Sequence, residues 1–446
     1  MIVSRARATV ATAAVAFVLS FPASSLGQKA GPAGVQVADG VPSAAEADDA
    51  TARATSNSGA FPGLAAAIER ARTRGPQSLL AAAELRVAGS SQRAAGLPPL
   101  TNPYLEIFVD RSRDTVGAAA IQANLWLPIE LSGQRAARVR EVETLVEWKK
   151  TARSAAQAGA VGEAVLAWGE VLVAWAQVQH AIEGEKIARD EAAYVNGRFE
   201  SKDATIVDKA LADGEVAQWV SRRAEASLTY ALAHARLAIA TGDPGLGDPP
   251  ADELAVDLPA LKSKSGDQLA RDLVAHSPAL RQYQQEAEAF LASREKWDSE
   301  KYLPVNFILS GGRSDTGAFR FGGGLAWTFP VLRKNQGEIA RAEAEADRAK
   351  ATYAIAAAAI AARAKGFHQA YEVARQALEA IDKVAIPAAK AVVEASVVAW
   401  RAGKLELSRV FLARRDLAVA HDRRLQITAA GFRAYGDLAG LVGDAP

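Results

Sequence analysis

The sequence is most informative first in what it lacks. Its 446 residues contain no cysteine, which removes disulfides, thiolate zinc sites, iron–sulfur clusters, cysteine nucleophiles and the acylated cysteine of a lipoprotein. One methionine and five histidines are the only soft ligands left. Lys plus Arg is 52 against 51 Asp plus Glu, so there is no basic excess with which to neutralise phosphates, and no nucleic-acid partner is expected. After the N-terminus no run of about 18 apolar residues occurs, so no spanning helix is expected. Proline is missing from 134 to 196. Half of the residues are apolar, which excludes an acidic disordered chain and suits long Ala-rich helices better than a compact enzyme.

What is present begins with an address. Arg5 and Arg7 precede a short apolar stretch from Ala8 to Phe21, and small residues follow. That pattern predicts a secretory signal peptide over 1–27, with an uncleaved anchor as the alternative. Residues 28–60, rich in Ala, Gly, Ser, Pro and Asp without periodicity, are expected to be a flexible leader.

The remainder reads as a duplication, 61–249 and 250–446. Gly75-Pro76 returns as Ser277-Pro278, and Trp126-Leu127-Pro128 as Trp327-Thr328-Phe329-Pro330, the prolines 202 residues apart in both pairs. Glu141-Val142-Glu143 matches Glu343-Ala344-Glu345 at the same offset. Leu237 to Asp243 matches Leu438 to Asp444 at 201, and Tyr194 to Glu200 matches Trp400 to Glu406 at 206, pairing Gly197 with Gly403. Five matches in one order point to two copies of one unit.

Each unit reads helix, two strands, very long helix, turn, helix. Strands are expected at 102–110, 119–129, 304–312 and 319–331, with alternation such as Leu105, Ile107 and Val109 against Glu106, Phe108 and Asp110. Their length suits tilted strands in a bilayer. Tyr104, Trp126, Tyr302, Trp327 and Phe329 near their ends suit an interfacial aromatic girdle. Four ordinary half-buried strands remain the alternative. The helical hairpins are expected at 134–241 and 336–440. The first long helix runs ~95 Å at 1.5 Å per residue, and the second is interrupted only by Pro387. A 4-3 seam includes Val161, Val165, Trp168, Leu172, Trp175 and Ile182 in the first helix. In the second it runs through Ile360, Ala364, Phe367, Tyr371, Ala374, Leu378, Ile381, Ala385, Ala388 and Val392.

Four strands cannot close a membrane barrel, and open edges are not tolerated in lipid. Other copies of the chain are expected to complete the sheet.

With this duplicated plan, its prolines and its Gly-containing turns, the sequence resembles the TolC outer-membrane efflux family. Pro387 followed by Trp400-Arg401-Ala402-Gly403-Lys404 resembles the CzcC-like heavy-metal branch. The resemblance implies a mixed α and β membrane protein, in which a homotrimer forms a 12-stranded barrel and an α-helical periplasmic tunnel. It implies a passive exit duct in the outer membrane, not an enzyme, working with a periplasmic adaptor and an inner-membrane transporter and needing no cofactor. The alternative is a secreted coiled-coil periplasmic scaffold or adaptor without a pore.

The polar positions expected to matter lie at the hairpin tips. Gly197, Arg198, Phe199, Lys202, Gly403, Lys404, Leu405 and Ser408 are candidates for adaptor contact, and Asp203, Asp208, Glu406 and Arg409 for a gate. Capping charges on solvated helix ends are the alternative reading. The family's aspartates after the second tip are replaced here by Arg409 and Leu412. His180, His234, His276, His368 and His421 lack the spacing of a metal cage and are expected to be solvated or to line grooves.

Overall fold

In the computed structural model the described residues are 60–97, 101–110, 119–131, 133–250, 256–262, 265–301 and 305–446. The expected signal peptide, nearly all of the leader, and Tyr302 lie outside them. In chain order the elements are α1 (Leu64–Arg74), α2 (Pro76–Ala95), β1 (Tyr104–Asp110), β2 (Ala120–Ile129), α3 (Gln134–Glu200) and α4 (Ile206–Thr241). Then come α5 (Gly266–His276), α6 (Pro278–Ser299), β3 (Val305–Arg313), β4 (Phe319–Ala326) and α7 (Gln336–Ala380). A π turn (Ile381–Ala385) leads into α8 (Ile386–Arg401), and α9 (Leu407–Val442) closes the series.

Local chemistry sets several boundaries. Pro76 and Pro278 open α2 and α6 at the first helical turn, where a missing N–H costs nothing. Thr205 and Asp208 form a reciprocal capping box at the start of α4. α3 contains a stretch long and apolar enough to cross a membrane, but most of that stretch is buried within the protein. Its small residues Ala160, Ala164, Ala167 and Ala174 pack against Ala233 and Leu237 of α4. Val161 and Val165 pack against Tyr371 of α7 and Tyr435 of α9. The approach of α3 to α9 is close because it is made through glycine. A Cβ on Gly162 would lie 2.7 Å from the Cα of Gly440 and 2.8 Å from the carbonyl oxygen of Gly436.

The seam of the second long helix departs from expectation at one point. Ile360, Ala364, Tyr371, Ala374 and Leu378 are buried, but Ala385, Ala388 and Val392 are exposed. The inward residues there are Ile386, Ala389, Val393 and Trp400. The π turn at Ile381–Ala385 inserts one extra residue into the spiral, so every later position on the inner face moves by one. Pro387 sits in the first turn of the renewed helix. Ile182, expected on the seam of α3, is likewise exposed.

The four strands form one antiparallel sheet in the order β1-β2-β3-β4. β4 stops at Ala326, so Trp327 and Phe329 lie beyond the sheet, packed on each other with ring centroids 4.5 Å apart. Pro128 lies inside β2 rather than after it. It pairs with Asn306, past the point where β1 pairing ends at Tyr104↔Trp126, so its missing N–H interrupts no bond to β1.

Candidate functional site

The register divides the sheet into two chemically distinct faces. Residues in register share a face, and the face is inverted at every step along a strand. One face carries Leu105, Ile107, Val109, Ile121, Ala123, Leu125, Leu127, Ile129, Val305, Phe307, Leu309, Phe319, Phe321 and Leu325, with Arg313 its only charge among the described residues. This face is uncovered: Leu105, Ile107 and Val109 are 60–67% exposed and Phe321 is 86% exposed. The opposite face holds Glu106, Asp110, Gln122, Asn124, Asn306, Ser310 and Arg320, with glycines at 312, 322 and 324, and carries Phe108 and Ile308 among them. There Gln122 Nε2 donates to Asn124 Oδ1 at 2.9 Å, and Trp126 Nε1 donates to a Glu106 oxygen at 3.2 Å. Tyr104 stacks on Trp126 at 5.3 Å. Tyr104 and Trp126 therefore sit on the polar face and do not form a girdle around the apolar one. Among the described residues the outer edges of β1 and β4 have no strand partner.

Where the sheet meets the helices, Arg138 Nη1 donates to Glu130 Oε1 at 2.7 Å, with both side chains at most 8% exposed. The same guanidinium reaches the carbonyl of Leu97. This nearly dry pair joins the end of β2 to the second turn of α3.

The two hairpin tips have the same backbone. At the first, Lys202 N–H donates to Phe199 O and Asp203 N–H to Arg198 O at 2.7 Å. At the second, Gly403 N–H donates to Trp400 O and Lys404 N–H to Ala399 O, both at 2.9 Å. Each is a Schellman closure around one left-handed residue: Lys202 with φ 64° and Gly403 with φ 71°. Gly197 is therefore not the turn residue. It lies within the last turns of α3, and the true counterpart of Gly403 is Lys202, at an offset of 201. The flanking match at 201 carried this signal, but the shared glycine masked it.

Arg198, Asp203, Asp208, Gly403, Leu405 and Glu406 line one cleft of about 260 Å³ between the tips. Lys404, Ser408 and Arg409 lie outside that lining, although Ser408 Oγ donates to Glu406 at 3.3 Å. Lys209 Nζ stands 5.4 Å from the centre of the Phe199 ring. Asp208 receives the backbone N–H and hydroxyl of Thr205 at 2.9 and 2.7 Å. Those bonds, aided by Arg198, hold its carboxyl below the ordinary range. The second tip has no such box, because Glu406 and Arg409 stand where the first has Thr205 and Asp208.

Behind the tips, Glu191 of α3 pairs with Arg414 of α9. Burial pushes the Glu191 carboxyl up even though Arg414 pulls it down. Further along, the fold brings together two histidines that are 241 positions apart in sequence. His180 of α3 and His421 of α9 have ring centroids 4.8 Å apart, and Trp219 of α4 closes on His180 edge-on at 5.6 Å. Burial lowers the pKa of both imidazoles, and His180 further lowers that of His421. No local spacing announced this pair. Among the described residues no group of three or more His, Cys, Asp or Glu is placed to hold a metal ion.

Comparison with known proteins agrees with this geometry. No family model matches the chain. Its fold superposes on the outer membrane protein VceC of Vibrio cholerae with a TM-score of 0.65, at 16% identity over 86% of this chain and 96% of that one. The open-state MtrE outer membrane channel of Neisseria gonorrhoeae gives 0.62, at 16% identity over 86% and 89%. The chain has the fold of the TolC-type outer-membrane channels. In sequence it is similar to the cobalt-zinc-cadmium resistance protein CzcC of Cupriavidus metallidurans, 26% identical over 346 residues, 77% of this chain and 81% of that protein. The four-stranded sheet and paired helical hairpins are those of a TolC-type protomer.

Proposed function

We propose that this chain is the protomer of a trimeric outer-membrane exit duct, passive in itself, that serves a tripartite efflux or secretion system. The observation that carries the reading is the sheet: one uncovered apolar face, one polar face, and two outer edges that no other described strand pairs with. An apolar face of this size is tolerated in lipid and not in water, and unpaired edges in lipid must be closed by other strands. Three copies give twelve strands, within the range of closed membrane barrels. The helical hairpins then extend into the periplasm, where an adaptor linked to an inner-membrane transporter would meet the tips. Arg198, Lys202, Lys404 and Leu405 are the contact residues in this reading, with Asp203, Asp208 and Glu406 at the constriction. Kinship with a cobalt-zinc-cadmium resistance protein favours metal cations as cargo.

The test is assembly and depth. Purified in detergent, the chain is expected to run as a homotrimer and to conduct in planar bilayers. Fluorescent labels at Ile107, Leu125, Leu309 and Phe321 should report lipid, and labels at Gln122 and Asn124 should report water. A monodisperse monomer with folded strands, or equal water exposure on both faces, would replace the duct with a poreless periplasmic scaffold.

A further inference from the structure

The polar face of the sheet carries an uneven charge. Its charged side chains among the described residues are Glu106, Asp110 and Arg320. Asp110 and Arg320 line one cleft of about 540 Å³ at the loop end of the sheet together with Arg313 and Asp315, so that cleft carries two charges of each sign. Glu106 lies further from that end, and among the described residues no cation pairs with it. Its contacts are neutral donors: Trp126 Nε1 at 3.2 Å and Asn124 Nδ2 at 3.5 Å. Asn124 is itself buried and held by Gln122. In register beyond Asn124 the face continues through Ser310 and Gly322, which are small and uncharged. The stacked rings of Tyr104 and Trp126 stand next to the carboxylate, and their faces attract cations as well.

We infer that Glu106 is the residue that gives the barrel lumen its preference for cations. The inference rests on the trimeric duct proposed above, in which three copies of Glu106 form a ring at one depth. Strands spaced ~4.8 Å apart and tilted by about 40° place the backbone of a twelve-stranded barrel at roughly 12 Å from the axis. A glutamate side chain reaches well inside that radius. The Debye length is ~8 Å at 0.15 M salt and ~30 Å at 0.01 M, so the ring acts weakly at physiological salt and strongly below it. Trp126 and Asn124 hold the carboxylate against the wall, where it attracts a passing cation without blocking the lumen.

The experiment is the reversal potential of the full-length trimer in planar bilayers under a KCl gradient. Wild type should favour K+ over Cl−, more so as salt falls. Glu106→Gln keeps acceptors for Trp126 and Asn124 but removes the charge. It should lower the permeability ratio by about twofold at low salt and flatten its salt dependence. Glu106→Asp, which keeps the charge on a shorter arm, should stay close to wild type. A conducting wild type whose ratio is unchanged by Gln would overturn the role of Glu106 and leave the duct standing. So would an Asp variant that loses selectivity as Gln does, since geometry would then be responsible. A wild type that conducts nothing would overturn the duct, and this inference with it.

Discussion

Lys202 and Gly403 occupy the same left-handed position in two otherwise identical helix closures, one at each hairpin tip. Glycine takes that conformation freely, while an L-residue with a side chain pays about 1–2 kcal/mol. Glycine also loses about 0.5–1 kcal/mol in added chain freedom when unfolded. Lys202→Gly should therefore stabilise the first tip by a net amount under about 1 kcal/mol, and Gly403→Ala should weaken the second. Slower hydrogen exchange at residues 199–205 in the first variant and faster exchange at 400–406 in the second would bear this out. No change in either would mean that the tips are held by the packing of Val195, Trp400 and Leu407 alone.

The His180–His421 contact should make the α3–α9 packing sensitive to pH. Both imidazoles have pKa values lowered from 6.5, chiefly by burial. The charges facing them are Glu183 on α3, Arg222 on α4, Lys390 on α8, and Asp422 and Arg424 on α9. A group with a depressed basic pKa binds more protons once the contact opens. Stability is then full above about pH 6.5 and declines as pH falls through that value towards the folded pKa values. Guanidinium unfolding at pH 7.5 and pH 5 should show a loss on acidification that His421→Phe reduces. An equal loss in both proteins would place the sensitivity elsewhere.

The π turn makes a prediction about chain length. Because it adds one residue to the spiral, removing one residue there should restore continuous helical phase between Leu378 and Ile386. Deleting the exposed Val384, together with Pro387→Ala so that no proline falls inside an α-helix, should leave the trimer assembled. Deleting the equally exposed Val373 from α7 should rotate Ala374 and Leu378 off the buried face and abolish assembly. Trimer yield on size exclusion compares the two. Equal failure would show that the π turn, tied to α9 by the 2.7 Å pair of Asp382 with Arg424, has a role beyond phase.

The gate proposed at the tips can be separated from helix capping. Asp208 is a capping residue, so Asp208→Ala alone costs roughly 1 kcal/mol of cap whatever else it does. Asp203→Asn with Asp208→Asn keeps acceptors for the Thr205 N–H and removes two charges. If these carboxylates act at the constriction, single-channel conductance should rise or cation preference should fall. Unchanged conductance in an intact trimer would leave them as caps.

The behind-the-tip pair offers a check on how the hairpins are joined. Glu191 and Arg414 are 12% and 20% exposed. Arg414→Met would leave a mostly buried carboxylate unpaired, at a cost of about 1–3 kcal/mol once partial exposure is allowed for. Glu191→Gln with Arg414→Met should recover much of that loss. Denaturant midpoints of the two single variants and the double variant measure the coupling, and strict additivity would deny it.

The features legible from the residues alone are those that repeat along the chain. Alternation along Leu105, Ile107 and Val109 set the apolar face, and the matched segments placed four strands and two hairpins. Both are written in periods of two residues or of about two hundred, and neither depends on which element packs where. Packing between distant segments set the rest. The fold made Lys202, and not Gly197, the turning residue, because the closure depends on hydrogen bonds around the turn and not on where a glycine happens to lie. It brought His180 to His421, since contact between distant helices leaves no local spacing to read. It moved the buried face from Ala385 to Ile386, because a single inserted residue in a π turn shifts every later side chain around the helix axis.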